Sequence, residues 1–395
     1  MTSEILQKSL DLKEYIVQVK RRIHRQPELE MQEFATTAFV KSELNNMGVE
    51  IAPLNLDVGV VGIIKGQKKG KEIVTALRAD IDALPIQEMT DISDKSTVSG
   101  VMHACGHDCH TAMLLGAAKL LMSLREHFSG TVKLIFQPAE ESLNGSTYMI
   151  NHGALENPKV DYILGIHGES TYEVGEIALR EEAYMASTDF FTVKITGMSG
   201  HGAYPHRVGC DSILAASNCV MAIQSIITRQ IDALDSVVIS ICEIHGGTAK
   251  NIIPETVEFS GTVRCQDKHI RNTMEKRIND IIQGIASTYK CEAELEYYYG
   301  VPPLINSPEV TEIVRKSAEK IVGPAKVRQI EVPAMGSEDF SRYLEVVPTG
   351  VFARLGIRRP EMSVPIFHND YFVFPEEALP YGMALFVQFV LDVNQ

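Results

Sequence analysis

Cysteine and histidine are concentrated in the segment 102–109, which reads Met-His-Ala-Cys-Gly-His-Asp-Cys. Cys105 and His107 lie close together in it, and the paired carboxylates Glu140 and Glu141 follow later in Gln-Pro-Ala-Glu-Glu. A thiolate, an imidazole and a carboxylate together suit zinc, manganese or cobalt better than calcium or magnesium. One carboxylate of the pair could bind a metal ion while the other transfers protons. This is the chemistry of a metal-activated water in hydrolysis.

The same segment has a second interpretation as a structural zinc knuckle. Such a site needs four closed ligands, and the local spacing does not match the usual paired-cysteine arrangement. We therefore favour a catalytic metal site in which His103 and Cys109 are not ligands. Asp108 is a candidate for orienting a ligand imidazole, since metal-bound histidines commonly donate their other nitrogen to a carboxylate.

The pair Glu140 and Glu141, taken alone, would suit a solvated surface. Two features favour a site instead: the pair follows a hydrophobic strand, and Pro138 restricts the backbone just before it. Successive side chains of an extended segment point to opposite sides. We therefore expect one carboxylate to bind metal and the other to face the substrate water.

Composition narrows the class of protein. A chain of 395 residues is long enough for two domains, and 45% hydrophobic with 22% charged residues is typical of a globular protein. The net charge of −14 and the absence of a dense basic cluster argue against nucleic-acid binding. Seven scattered cysteines do not form a disulfide framework. With no apolar signal core and no membrane-length apolar run, we expect no membrane partner and a cytoplasmic location.

The elements that position these residues alternate between strands and helices, which predicts an α/β fold with a mainly parallel sheet and helices on both faces. We expect a single amphipathic helical segment over residues 5–27, and the Ala/Leu/Met-rich run from Thr111 predicts another helix. Asp80, Glu140 and His167 each follow a predicted strand, and the carboxyl edge of such a sheet is where sites form. We therefore expect these three residues to converge.

The pattern changes between residues 184 and 300. Strand, helix, strand, strand, helix and strand follow one another, which is the split β-α-β-β-α-β unit of ferredoxin-like domains. We predict an inserted lid or dimerisation domain at 184–300 that divides the catalytic domain into 1–183 and 301–395. This insert contains a glycine-rich turn around His201, a Gly-Gly loop that ends at Asn251, and Arg264 on a strand. Each is a weak signal alone, as are Asp82 and His368.

Taken together and in order, the motifs resemble those of metal-dependent amidohydrolases related to aminoacylases, hippurate hydrolases and plant auxin-conjugate hydrolases. The resemblance covers essentially the whole chain. It depends on six segments. Three lie in the first part of the chain: Arg-Arg-Ile-His-Arg-Gln-Pro-Glu-Leu (21–29), Ala-Asp-Ile-Asp-Ala-Leu-Pro (79–85) and His-Ala-Cys-Gly-His-Asp (103–108). The others are Gln-Pro-Ala-Glu-Glu (137–141), Gly-Ser-Glu-Asp-Phe (336–340) and Phe-His-Asn (367–369).

The resemblance implies two divalent ions, Mn²⁺ or Zn²⁺ with Co²⁺ as a further option, about 3.5–4 Å apart. By match, Cys105 would bridge them and four further residues would complete the ligand set: His107, Glu141, His167 and His368. Glu140 would be the general base. His201 would stabilise the oxyanion from the inserted domain of a partner subunit, which implies a homodimer, and Asn251 and Arg264 would bind the free carboxylate of the amino-acid half. Asp80 and Asp82 would support the site.

The implied reaction is hydrolysis of the amide bond of small N-acyl amino acids, such as N-acetyl ones. Two departures from the family pattern bear on the substrate. Gly168-Glu169-Ser170 replaces an aromatic-rich segment, and Asp370 replaces a proline after His-Asn. Both predict an altered acyl pocket. A dinuclear dipeptidase, a non-catalytic binding protein on the same fold and a structural zinc protein remain the alternatives.

Overall fold

The computed structural model describes residues 3–360 and 366–394. The chain divides into two compact units. The first comprises Met1–Glu182, Ile305–Val332 and Asp339–Gln395, and the second comprises Ala183–Leu304 and Pro333–Glu338.

Within the described residues, one sheet of eight strands forms the centre of the first unit, in the order β1-β2-β4-β3-β5-β16-β6-β15. Its strands are β1 (Glu50–Ile51), β2 (Val60–Lys65), β3 (Val74–Asp80), β4 (Thr131–Gln137), β5 (Tyr162–Glu173), β6 (Ile177–Leu179), β15 (Val327–Gln329) and β16 (Gly350–Arg358). The central strands β4, β3, β5 and β16 run parallel, whereas β1, β2 and β4 pair antiparallel at one edge. The fold is therefore a mixed α/β fold with a large, mainly parallel sheet.

The helices of the first unit pack against this sheet and against one another. They are α1 (Glu4–Asp11), α2 (Lys13–Arg25), α3 (Phe34–Asn46), α4 (His107–Ser123), α5 (Gly145–Asn151), α9 (Pro308–Val322), α10 (Ser341–Val346) and α11 (Leu379–Val393). The helical segment expected over residues 5–27 is divided at Leu12, whose φ of −94° and ψ of 3° interrupt the helix. Helices α4 and α11 are buried along most of their length. They therefore form the centre of the helical packing rather than an amphipathic surface.

The strand that carries His167 differs from its prediction. His167 was expected at the end of a strand, but β5 continues to Glu173, well beyond it. The added segment is polar and half-exposed, so it has no apolar pattern from which a strand could be predicted. It forms because β16 pairs with it, through Arg354 opposite His167 and, after a bulge, Arg358 opposite Glu173.

The second unit contains a sheet with the order β10-β12-β8-β13. Its elements are β8 (Asp189–Thr196), β9 (Gly200–His201), α6 (Pro205–Val208), α7 (Ser212–Ser225), β10 (Val237–Gly246), β11 (Ile252–Ile253), β12 (Thr256–Cys265), α8 (Lys268–Thr288) and β13 (Glu292–Tyr299). All neighbouring strands of this sheet run antiparallel. Helices α7 and α8 share an apolar core with the sheet, built around Phe259, Met274 and Ile278. Two short strands, β7 (Glu182–Met185) and β14 (Leu304–Asn306), lie near the boundaries of the units.

None of the helices in the described part of the chain is both long enough and apolar enough to span a membrane.

Candidate metal centre

The Cys/His segment leads directly into helix α4, which begins at His107, earlier than the predicted start at Thr111. Gly106 precedes the helix with a φ of 86°, a left-handed conformation that glycine adopts without strain. A Cβ at this position would lie 2.6 Å from the ring of Phe374. Glycine is therefore required on two counts, and it places Cys105 in a loop and His107 in the first helical turn.

Six side chains of the first unit bring candidate ligand atoms together in overlapping groups. In each group, the ligand atoms lie within 4.8 Å of one another. These six side chains form three groups: Cys105 with His107 and His167, Cys105 with Glu141 and His368, and His107 with Glu140 and Glu141. Asp80, His107 and His110 form another group in the same unit. Cys105 is common to the first two groups. This arrangement allows one thiolate to serve two metal positions.

His107 is held by Asp82. Its Nδ1 lies 3.1 Å from both the backbone carbonyl oxygen and Oδ1 of Asp82, so Nδ1–H donates to them. His107 Nε2 is buried and has no hydrogen-bond partner in the described structure. A buried polar atom without a hydrogen-bond partner needs an explanation, and a bound ion is one of them. These residues therefore fit a divalent metal ion.

The charges around His107 are strongly interdependent. Burial would lower the pKa of His107, but Asp80 and the hydrogen bond to Asp82 raise it well above its usual value. Burial would likewise raise the pKa of Asp80, but His107, Arg78 and His110 hold it well below its usual range. For Cys105, burial dominates and raises the pKa of the thiol to about 12. A nearby metal charge is what would make it a thiolate near neutral pH.

Glu140 and Glu141 lie in a turn after β4, not in the extended segment that was expected. The turn forms because Ala139 has a φ of 51° and Leu143 a φ of 59°, both in the left-handed region. The Ala139 N–H donates to the buried Glu33 at 2.9 Å, and Leu143 N–H donates to the Glu140 carbonyl at 2.7 Å. The two carboxylates lie close together: Glu140 Oε2 and Glu141 Oε1 are each 3.9 Å from His107 Nε2, and Glu141 Oε1 is also 3.3 Å from His368 Nε2.

Gly145 determines the shape of this turn. A Cβ at Gly145 would lie 1.6 Å from the carbonyl oxygen of Pro138, so no other residue fits without moving the backbone. The Glu141 N–H donates to Asp82 Oδ2 at 3.0 Å. Asp82 thus holds both His107 and the backbone of Glu141.

His167 lies beside Cys105, with 3.4 Å between its Nε2 and the Cys105 Sγ. Burial, supported by the charge of Arg354, lowers the pKa of His167 well below its usual value. The imidazole is therefore neutral, which is the form that binds metal. His368 is exposed, has a φ of 60°, and is anchored by its N–H to the carbonyl of Ala104 at 2.9 Å.

A buried network behind the centre contains residues that the sequence reasoning did not assign. Arg78 donates to Gln137 Oε1 at 2.9 Å, to Asp80 Oδ2 at 2.6 Å and to Asp339 Oδ1 at 2.9 Å. Asp80 in turn accepts from His110 at 2.6 Å. Asp339 belongs to the Gly-Ser-Glu-Asp-Phe motif, and this motif could have identified it as a residue of the site. Arg78 reads as an ordinary strand residue, so no sequence signal distinguished it.

Asp108 does not orient a ligand imidazole in this structure. It points into a separate buried cluster, where its Oδ2 lies 2.8 Å from His24 Nδ1. His24 Nε2 lies 3.4 Å from Glu88, and Lys20 forms a 2.6 Å ion pair with Asp94 nearby. Burial would lower the pKa of His24, but Asp108 and Glu88 outweigh it and raise the pKa to about 9. His24 is therefore a buried imidazolium at neutral pH.

The remaining predicted residues lie in the second unit. His201 in β9 pairs with Ile252 in β11, and the Gly202 N–H donates to the Asn251 carbonyl at 2.8 Å. His201 and Asn251 are thus neighbours, and both are exposed. Arg264 is half-buried, with its guanidinium 6.0 Å from the ring centroid of Phe190, and its Nη1 has no hydrogen-bond partner in the described structure.

Comparisons with known proteins agree with this geometry. A model of Peptidase family M20/M25/M40 matches residues 76–392. N-acetyl-L-cysteine deacetylase of Bacillus subtilis is 40% identical over 87% of this chain and 81% of its own length. IAA-amino acid hydrolase ILR1-like 4 of Arabidopsis thaliana is 39% identical over 96% of this chain and 86% of its own length.

The fold also matches solved structures. The crystal structure of the Bacillus subtilis YXEP protein, described as a dinuclear metal binding peptidase from the M20 family, superposes with a TM-score of 0.84 at 33% identity. The match covers 97% of this chain and 99% of the other. The family match, the relatives and the cluster of ligand atoms lead to one conclusion: this chain is a metal-dependent amidohydrolase of Peptidase family M20/M25/M40.

Proposed function

We propose that this enzyme releases an amino acid from a small N-acyl amino acid, such as an N-acetyl amino acid, with two divalent ions at the Cys105 centre. The observation that carries the proposal is the position of Cys105, which belongs both to a ligand group with His107 and His167 and to one with Glu141 and His368. The relatives named as a deacetylase and as an amino acid hydrolase support this substrate class.

The ligand set would be Cys105, His107, Glu141, His167 and His368. When bound, the two ions would supply Lewis-acid chemistry that acidifies a water and polarises the amide carbonyl. Sulfur, nitrogen and oxygen donors in one centre suit Mn²⁺ or Zn²⁺, with Co²⁺ as a further option. The donors of the first unit are already close together, so metal binding requires little rearrangement of the chain.

Glu140 would be the general base. Its carboxylate lies next to the ligand cluster but is directed to His107 rather than to His368, so it is not needed as a ligand of the second group. It would accept the proton of the attacking water and return it to the nitrogen of the leaving amine. The turn around Ala139 and Gly145 holds this carboxylate in place, so Glu140 would not have to move before it accepts the proton.

The second unit would be a ferredoxin-like lid and dimerisation domain, with bounds close to the predicted 184–300. Its order of strand, helix, strand, strand, helix and strand supports this assignment. His201 would stabilise the developing oxyanion of a partner subunit's substrate, and Asn251 and Arg264 would bind the substrate carboxylate. The unpartnered Nη1 of Arg264 is the observation that favours it as an anion-binding group.

A homodimer would form through the same domain. Strand β10 is the edge of its sheet, and helix α7 beside it exposes apolar side chains. The exposed fraction is 75% for Met221, 49% for Leu214 and 54% for Ile244 on β10. Exposed apolar residues beside a free sheet edge are suited to pairing with a second copy of the chain.

Subunit mixing tests this arrangement. Glu140→Gln and His201→Ala are each expected to be inactive dimers. When equal amounts of the two variants are unfolded and refolded together, about half of the dimers should be mixed. Each mixed dimer has one site with both Glu140 and His201 intact, so about a quarter of the wild-type activity should return. Equal amounts of either variant refolded alone serve as the control. No recovery in a mixture that forms mixed dimers would contradict a role for His201 across subunits.

The experiment that tests the function is amino-acid release from a panel of N-acetyl, N-benzoyl and dipeptide substrates. The enzyme is stripped with a chelator and reloaded separately with Mn²⁺ and Zn²⁺. We expect metal-dependent release that is fastest with an N-acyl amino acid. A preference for free dipeptides would favour the dipeptidase alternative instead. If no amino acid is released and the protein binds no metal, the non-catalytic alternative is favoured. Unfolding of the protein on metal removal would favour a structural zinc protein.

A further inference from the structure

His110 lies among the candidate ligands but is not free to bind a metal. Its Nδ1 is 2.6 Å from Asp80 Oδ1, and its Nε2 is 3.2 Å from the backbone nitrogen of Gly168. Both ring nitrogens are therefore occupied by protein groups, although Asp80, His107 and His110 have the spacing of a metal site. His110 is buried, so this pairing is not exchanged with water.

The partners of His110 define its tautomer. Asp80 Oδ2 accepts from Arg78 at 2.6 Å, and Asp80 Oδ1 accepts the Nδ1–H of His110. The Gly168 N–H can only donate, so Nε2 of His110 accepts with its lone pair. The ring of His110 therefore accepts at Nε2 and donates from Nδ1, so its two nitrogens have opposite roles.

Both backbone polar groups of Gly168 bond to histidine rings, the N–H to His110 and the carbonyl oxygen to His167, the residue before it. Strand β3 pairs with β5 only as far as Arg78 and Gly165, so beyond that point the His110 ring takes the place of a ladder partner for Gly168. The carbonyl oxygen of Gly168 lies 2.7 Å from Nδ1 of His167 and accepts its proton. A Cβ at Gly168 would lie 2.7 Å from the Phe374 ring, so a side chain there would displace the backbone at this position.

We infer that His110 is a positioning residue that holds the backbone of Gly168 in place and thereby fixes the tautomer of His167. With Nδ1–H held by the Gly168 carbonyl, His167 presents the lone pair of Nε2 toward Cys105, at 3.4 Å. This is the form in which His167 would bind a metal ion, and the inference rests on the metal site of the proposed function. It also gives a structural reason for glycine at position 168, one of the departures from the family pattern.

Two amide variants, each of which reproduces the position of one ring nitrogen, separate the hydrogen bonds of His110. In His110→Asn the amide nitrogen replaces Nδ1 and still donates to Asp80, but no acceptor remains for Gly168. In His110→Gln the amide oxygen replaces Nε2 and can accept from Gly168. Loss of a group that orients a metal ligand typically weakens metal binding by about 10–100-fold. We expect a loss of that size for Zn²⁺ in the Asn variant and recovery of most of it in the Gln variant.

The readouts are Zn²⁺ titration against a competing chelator and ¹⁵N spectroscopy of the histidine rings in the metal-free protein. Wild type should show His167 with its proton on Nδ1, and the Asn variant should show a mixture of tautomers. His152→Asn is the matched control, because His152 donates from Nδ1 to the Tyr148 carbonyl at 2.8 Å without contacting the centre. It should leave both readouts unchanged.

Three outcomes would overturn the inference. The Asn variant could match wild type in both readouts, or it could lose Zn²⁺ affinity with an unaltered His167 tautomer. Equal losses in Asn and Gln variants, together with a lower melting temperature, would show that His110 only fills space. The proposed function fails separately, if the wild-type protein binds no Zn²⁺ or releases no amino acid. The ring spectra of the metal-free protein would still decide the role of His110.

Discussion

Asp82 and His107 are joined by a hydrogen bond of 3.1 Å that selects which ring nitrogen of the histidine is available. The second oxygen of the same Asp82 carboxylate accepts the backbone N–H of Glu141 at 3.0 Å. One buried carboxylate thus aligns two candidate ligands that come from different parts of the chain. Sequence alone indicated only that Asp82 supports the centre.

We expect Asp82→Asn to weaken metal binding by about 10–100-fold, because its amide cannot accept from both partners at once. Chelator competition with Mn²⁺ and Zn²⁺ measures the change. Asp91→Asn, at an exposed position, is the control. Wild-type affinity in a folded Asp82→Asn protein would mean that this carboxylate does not align the ligands.

Glu140→Gln should lower kcat by about 10²–10⁴-fold, because the amide cannot accept the proton of the attacking water. Metal content should remain near that of wild type. The neighbouring Glu141→Gln should instead lose metal, since Glu141 belongs to the ligand group with Cys105 and His368. Turnover and metal analysis of the purified variants measure both effects, with exposed Glu126→Gln as the control. Near-normal turnover by Glu140→Gln would refute its role as base.

The buried imidazolium of His24 predicts a pH dependence of stability. Its pKa is raised from 6.5 to about 9, so between these values the folded protein binds more protons than the unfolded chain does. Its contribution is therefore complete below about pH 6.5 and is lost as the pH rises through about 9. A shift of this size corresponds to roughly 3 kcal/mol of the free energy of unfolding.

Urea unfolding of wild type and His24→Gln between pH 6 and pH 9.5 measures this contribution. The free energy of unfolding of wild type should fall more steeply with rising pH than that of the variant. His127→Gln, in a short exposed segment, is the matched control and should follow wild type. Parallel pH profiles for wild type and His24→Gln would show that His24 does not keep its proton in the folded protein.

Arg264→Ala should mainly weaken binding of substrates that have a free carboxylate. Hydrogen bonds to charged groups contribute about 1.5–3 kcal/mol, so KM should rise by about 10–100-fold. The same substrate with an amide in place of the carboxylate should show little change. The exposed Arg229→Ala is the control. If both substrates are affected equally, Arg264 does not bind the carboxylate.

Sequence patterns predicted a mainly parallel sheet because strand-like and helical segments alternate along the chain. They did not predict the length of β5 beyond His167, because that segment is polar and depends on pairing with the distant β16. The division of the first helical segment at Leu12 was also missed, since apolar periodicity continues on both sides of it.

The candidate ligands were predicted by residue type and by resemblance, and the structure brings Cys105, His107, Glu141, His167 and His368 together as the prediction requires. Their assignment as ligands stays a proposal. The residues behind them were not predicted, because the roles of Arg78 and His110 arise only from tertiary contacts. Asp108 was expected to orient a ligand imidazole because it follows His107 in the sequence. Helix α4 directs it instead to His24, away from the candidate ligands.

The donor atoms of the centre come from widely separated parts of the chain, with Cys105 and His107 made early during synthesis and His368 much later. The complete set therefore exists only after most of this sequence has left the ribosome and folded. Metal selection is then a property of the folded protein and of the ions around it at that time. Expression in media that differ only in manganese or zinc should consequently yield the same fold with different metal content.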